Sequence, residues 1–131
     1  MKAMAKPANT LTPTNIRLLR VSRILEVSFD DGTVFRLPCE YLRVHSPSAE
    51  VQGHGPGQEV LQIGKEAVNI AAIEPVGAYA VRLIFDDGHQ SGIYSWPLLY
   101  KLGVMREQYW QEYLRRLKAA GYTRKEPPPP E

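Results

Sequence analysis

Two stretches of the chain hold most of the side chains capable of chemistry. Arg43 to Gly57 carries His45, Ser46, Ser48, Glu50 and His54, and Asp86 to Trp96 carries Asp86, Asp87, His89, Tyr94 and Trp96. Imidazoles, hydroxyls and carboxylates in one small protein can build a hydrolytic relay, a metal site or a polar docking surface. No Gly-x-Ser-x-Gly elbow presents a nucleophile. Ser46, followed by Pro47 and then Glu50, has the pattern of a helix start, in which the serine oxygen receives a backbone N–H. Gly53-His54-Gly55-Pro56-Gly57 lacks the Gly-Lys-Ser/Thr ending of a phosphate-binding loop and reads as a tight exposed loop. His45, His54 and His89 are nine and thirty-five residues apart, spacings that place no two imidazoles on one helical or strand face. Asp86 and Asp87 read as turn acids, since adjacent strand residues point to opposite faces.

The elements that must position these groups follow from the apolar period. Leu25, Val27 and Phe29 alternate with Glu26 and Ser28, Asp30-Asp31-Gly32 supplies turn chemistry, and Val34, Phe35 and Leu37 resume, which predicts a β-hairpin. A strand around Ile16 to Arg20 precedes it. Val68, Ile70 and Ala72-Ile73 lead through a turn at Glu74-Pro75-Val76-Gly77-Ala78 into a second alternating run, Tyr79 to Phe85. Phe85-Asp86-Asp87-Gly88 repeats Phe29-Asp30-Asp31-Gly32, so the same turn is used twice. Ser95 is placed to cap a short helix with Pro97 in its first turn and Gly103 at its end. Met105, Tyr109, Tyr113 and Leu117, with Trp110 and Leu114, form the stripe of a longer helix closed near Gly121. The expected fold is α+β: a mainly antiparallel sheet of two hairpin regions with a C-terminal amphipathic helix packed on it.

Composition narrows the class. A length of 131 residues suits one domain. Residues 1–13 and the proline-rich 125–131 read as loose tails around a domain at 14–124. Cys39, the single cysteine, cannot make an internal disulfide, and no N-terminal stretch reads as a signal peptide, so a cytoplasmic setting is expected. Sixteen basic against fourteen acidic residues give a formal charge of +2, short of the excess that a phosphate backbone partner selects. No membrane partner is expected.

The run from Tyr41 to Val51 with Gly53-His54-Gly55, and Phe85-Asp86-Asp87-Gly88-His89 with Gly92-Ile93-Tyr94-Ser95-Trp96, resemble the bacterial DUF971 family. That family is similar to the N-terminal domain of gamma-butyrobetaine hydroxylase, and the resemblance covers residues 14 to 124. In the hydroxylase the domain precedes an iron- and 2-oxoglutarate-dependent oxygenase domain with a His-x-Asp/Glu metal pair. Here the residues two after the histidines are Pro47, Pro56 and Ser91, so the resemblance does not bring the oxygenase activity with it. It also implies a zinc held by three cysteines and a histidine. His89 matches that histidine, but Ser46, Ser48 and Val51 stand at the cysteine positions, so no cofactor is expected and zinc is doubtful. A similar domain fused to an iron–sulfur P-loop ATPase implies an accessory role.

The resulting expectation is a non-catalytic binding module, contacting a protein through Arg43, His45, Ser46, Ser48, Glu50, His54, Asp86, Asp87, His89, Tyr94 and Trp96, in metal or iron–sulfur cluster assembly. Tyr94 and Trp96 would anchor the hairpin from beneath, and the histidines would be exposed. The alternative is a metal-dependent or small-molecule-binding enzyme, which requires His45, His54 and His89 to gather round a concave pocket.

Overall fold

A computed structural model describes residues 11–53, 55 and 57–125. Period-two alternation gives three strands, β1 (Pro13–Leu19), β2 (Ile24–Phe29) and β3 (Val34–Pro38), which pair antiparallel in the order β1-β2-β3. Central β2 sends Leu25, Val27 and Phe29 into the core. Glu26, between them, is clamped across the sheet by Arg17 at 3.1 Å and Arg36 at 2.9 Å. Both arginines are largely exposed, so the clamp contributes about 1 kcal/mol or less.

The chain then turns directly from Pro38 into α1 (Cys39–Val44), every residue of which is buried. A short α2 (Ala49–Gln52) follows. The second half repeats the plan: β4 (Ile70–Val76), β5 (Ala80–Phe85) and β6 (Ile93–Ser95) pair antiparallel in the order β4-β5-β6, and α3 (Trp96–Val104) begins where β6 ends. Helix α4 (Arg106–Ala119) completes the described fold.

The α+β expectation holds, with the strands divided into two three-stranded sheets. Their inner faces meet in one core, with Leu25, Val27 and Leu37 from the first sheet and Ile70, Leu83 and Phe85 from the second. Tyr41 and Tyr94 cross between the halves. The Tyr41 hydroxyl donates to the Leu102 carbonyl of α3 and the Tyr94 hydroxyl to the Leu42 carbonyl of α1, each at 2.6 Å. A smaller cluster of Val44, Tyr113 and Leu117 seats α4.

Several expectations change in detail. Glu74 and Pro75 lie in β4, and the turn follows at 77–79. Proline is tolerated there because β4 is an edge strand with amides that need no ladder partner. Tyr79 falls in that turn and is exposed. Ser95 does cap α3, its oxygen accepting the Leu98 N–H at 3.3 Å, with Pro97 in the first turn. Gly103, however, does not end α3, which runs on to Val104. Its missing side chain admits the Phe35 ring, since a Cβ there would sit 2.4 Å from ring carbons. Met105 lies at the junction of α3 and α4, while Tyr113 and Leu117 carry the buried stripe. Residues before 14 also take part in the packing: Leu11 is buried and the Thr12 carbonyl accepts the Asp30 N–H. The remainder of the first tail and the prolines at 127–130 lie outside the described residues. Among the described residues no helix is long and apolar enough to cross a membrane.

Candidate functional site

The two polar segments meet. After α1 the backbone bends at Ser46-Pro47-Ser48, and the Ser46 oxygen accepts the Ser48 N–H at 3.2 Å. Ser48, not Ser46, caps α2, accepting the Glu50 N–H at 3.2 Å. Ser46 is thereby freed for a tertiary bond, and its hydroxyl lies 2.9 Å from His89 Nε2. On the other side of the ring, His89 Nδ1 lies 3.3 Å from Glu50 Oε2. A carboxylate only accepts, so Nδ1 carries the proton and Nε2 accepts the Ser46 O–H. The Ser91 hydroxyl donates to Glu50 Oε1 at 2.9 Å and pairs with the Ser48 hydroxyl at 2.7 Å.

A second clamp lies beside it. Asp87 Oδ1 accepts the His89 N–H at 3.1 Å, and its Oδ2 accepts from Arg43 Nε and Lys65 Nζ, each at 2.9 Å. Arg43 also reaches the Gln62 side chain at 3.1 Å. Asp86 accepts the Asn69 N–H at 3.0 Å, Tyr94 ties back to α1, and Trp96 Nε1 donates to the Ala78 carbonyl at 2.8 Å. Tyr94 and Trp96 therefore anchor the hairpin, Tyr94 fully buried and Trp96 partly so.

Burial and charge set the titrations. Burial pushes the His89 pKa below its ordinary value, helped by the Arg43 charge and opposed by Glu50 and Asp87. Burial raises the Asp87 carboxyl, but hydrogen bonds from Lys65, the His89 amide and Arg43 outweigh it and hold the pKa at about 2. The Ser91 hydrogen bond leads in lowering Glu50.

Ser46, His89 and Glu50 thus align as the hydroxyl, imidazole and carboxylate of a hydrolytic relay, a constellation the sequence spacing hid. Access is missing. Ser46 is 0 % exposed and His89 5 %, so no substrate carbonyl reaches the hydroxyl. Gly92 closes over it so tightly that a Cβ there would lie 2.5 Å from Ser46 Oγ.

The expected surface is accordingly rearranged. Arg43, Ser46, Ser48 and His89 are buried, because each is drawn inward by a partner from the other segment. Glu50 keeps an exposed side chain, and Asp86 and Asp87 lie at an exposed turn. His45 belongs to a different environment. Its Nδ1 lies 2.9 Å from the Tyr41 carbonyl, and its ring stacks on Tyr109 at 5.7 Å between centroids. Burial lowers its pKa against the pull of that carbonyl. His45 and His89 therefore do not share a site, and His54 lies outside the described residues.

The residues at the four zinc-type positions do not fit the metal. Ser46 and Ser48 offer protonated hydroxyls already committed to hydrogen bonds, and Val51 offers only methyl groups. Cys39 is buried near Asn69 Oδ1, and burial pushes its thiol up to about 11, far from the thiolate a metal needs. Among the described residues no group of three or more His, Cys, Asp or Glu side chains could hold a metal ion.

Sequence reasoning missed Gln62 and Lys65, which have no local pattern, and it passed over Ser91 and Gly92 although both lie within the second segment. For Gly92 the signal was a glycine between two strand-forming stretches, a mark of close approach by another group.

Residues 16–100 match the model of the family described as gamma-butyrobetaine hydroxylase-like, N-terminal. A protein solved by NMR in solution is 52 % identical, with 95 % of this chain and 92 % of that one covered and a TM-score of 0.78. A second NMR structure is 45 % identical over 89 % of this chain and 92 % of that one, with a TM-score of 0.75. A crystal structure of a DUF971 family protein of unknown function from Acidithiobacillus ferrooxidans is 39 % identical over 76 % of this chain and 98 % of that one, with a TM-score of 0.61. No curated protein matches.

Proposed function

The chain belongs to the gamma-butyrobetaine hydroxylase-like, N-terminal family, which includes DUF971, and on that premise we propose that it is a non-catalytic accessory module binding a cytoplasmic protein partner. The enclosure of Ser46 and His89 supports this reading most directly. The groups that would do chemistry are spent holding two segments in register, and among the described residues no buried side-chain nitrogen or oxygen lacks a partner. What the clamp leaves outward is a polar rim of Glu50, Gln90 and Ser91. A rim fixed on a stiff, fully satisfied interior is presented with little ordering cost on binding. Arg43, Ser46, Ser48, Asp87 and His89 then act as positioning residues beneath the contact surface. The resemblance to an accessory domain of an iron–sulfur ATPase makes a protein of metal or cluster assembly the first partner to test.

Site-specific photo-crosslinking in the native cell tests it. A crosslinker at exposed Gln90 is expected to trap one defined protein, and one at Val21, an exposed residue between β1 and β2, is expected not to. Trapping from Val21 alone, or the same protein from both positions, removes the rim as the contact surface.

A further inference from the structure

A cleft of about 390 Å³ lies between the Val44–Gln52 segment, the strap at residues 59–62 and helices α3 and α4. That volume is in the range of small-molecule sites. Its floor is apolar, formed by Val44, Val51, Leu102 and Tyr113, all buried. Four charged side chains stand around it: Glu59, Lys101, Glu112 and Arg116.

These charges are not equally available. Glu112 has both oxygens on Arg115, at 3.0 and 2.5 Å. Glu59 accepts the Gly57 N–H at 3.3 Å and stands close enough to Arg116 to feel its charge, but not within ion-pair distance. Arg116 and Lys101 make no ion pair or side-chain hydrogen bond with the described residues. Arg116 is nevertheless partly buried on the inner side of α4. A partly buried guanidinium with no ion-pair partner among the described residues, beside an apolar cleft, suits a carboxylate, which it can grip with two parallel N–H bonds.

His45 adds a third requirement. The Tyr41 carbonyl can only accept, so His45 Nδ1 carries the proton and Nε2 is left with a lone pair. No buried side-chain nitrogen among the described residues is unpaired, so Nε2 keeps contact with solvent, and His45 lines the cleft. It is an acceptor awaiting a donor.

We propose that this cleft binds a small organic acid with a flat apolar body and one N–H or O–H group. The carboxylate lies on Arg116 and Lys101, the body lies on the floor with Tyr109 beside it, and the donor meets His45 Nε2. This site is separate from the rim and stands whether or not the rim contacts a protein.

Three probes test it by NMR titration of the full chain: indole-3-acetate, the neutral indole-3-acetamide, and 1-naphthaleneacetate, an acid without a donor. Indole-3-acetate is expected to shift the amides of Val51, Leu102 and Tyr113 saturably, and indole-3-acetamide to bind at least tenfold more weakly. Arg116→Gln should bring the acid down to the amide's affinity. Lys101→Gln, on an exposed residue, should weaken the acid in the same direction and serves if the first variant is poorly folded. The absence of saturable shifts at these residues, equal binding of acid and amide, or an unchanged acid affinity in both variants overturns the site. Equal affinity of the two acids overturns the His45 contact.

Discussion

Phe29-Asp30-Asp31-Gly32-Thr33 and Phe85-Asp86-Asp87-Gly88-His89 are one turn built twice. In each the phenylalanine N–H reaches the carbonyl of the fifth residue, at 2.8 and 2.9 Å, and the glycine N–H returns to the phenylalanine carbonyl, at 3.0 and 3.1 Å. In each the glycine has a left-handed φ, +87° and +92°, and the second aspartate accepts the N–H two residues on, at 2.9 and 3.1 Å. The backbones match, but the loads do not. Asp31 turns its other oxygen to the Tyr100 hydroxyl at 2.7 Å, an exposed bond from an uncharged donor, and Thr33 ends the turn. Asp87 turns its own to buried Arg43, and His89 plugs the space between Ser46 and Glu50. A local turn motif therefore specifies a backbone path, while the fifth residue and the partner facing the second aspartate decide whether the turn is decoration or keystone.

Parallel substitutions in the two turns can break this contrast. The largest difference is expected at the aspartates. Asp87→Ala strands the Arg43 guanidinium inside the fold and should cost about 3 kcal/mol, whereas Asp31→Ala removes only exposed hydrogen bonds and should cost far less. Urea unfolding midpoints measure both, and equal costs would mean that Arg43 is not held by Asp87. Next come the fifth residues. His89→Ala leaves the Ser46 hydroxyl and a cavity behind and should cost about 2 kcal/mol, against about 0.5 kcal/mol for Thr33→Ala. A His89 variant as stable as wild type would return that residue to the surface.

The smallest effect is in pH. His89 has a folded pKa below its ordinary 6.5, so the unfolded chain binds the proton more readily. That contribution is complete above 6.5 and is lost as pH falls toward the depressed value. His45 is shifted in the same direction. The thermal midpoint of the wild type should therefore fall between pH 7 and about 5, and His89→Gln should flatten, without abolishing, that fall. A Thr33 substitution has nothing to titrate, and an unchanged slope in the His89 variant would sharpen attention on His45 instead.

What was legible in the sequence was local. Both hairpins, the Ser95 cap and the Tyr113–Leu117 stripe of α4 follow from periods and turn chemistry acting over a few residues. What was hidden depends on distance along the chain. Ser46 and His89 are 43 residues apart, and nothing near either one announces the other. The preference of histidine, serine and arginine for the surface argued for exposure there, and a mutually satisfied network overrode it. The helix cap was misplaced by two residues because Ser46 and Ser48 are chemically equivalent, and only the position of His89 decides between them. Gly103 looked like a helix end because glycine there usually is one. The actual reason, the Phe35 ring, arrives from another strand.

The crossed tyrosines govern how the protein comes apart. Tyr41 serves a carbonyl in the second half and Tyr94 one in the first, so loosening either half strips a buried acceptor in the other of its donor. Neither half has a self-sufficient interior, since the two sheets share a single core. Partial opening is penalised on both sides at once, and β2 and β5 should exchange their amide hydrogens through the same global event rather than as independent subunits of stability.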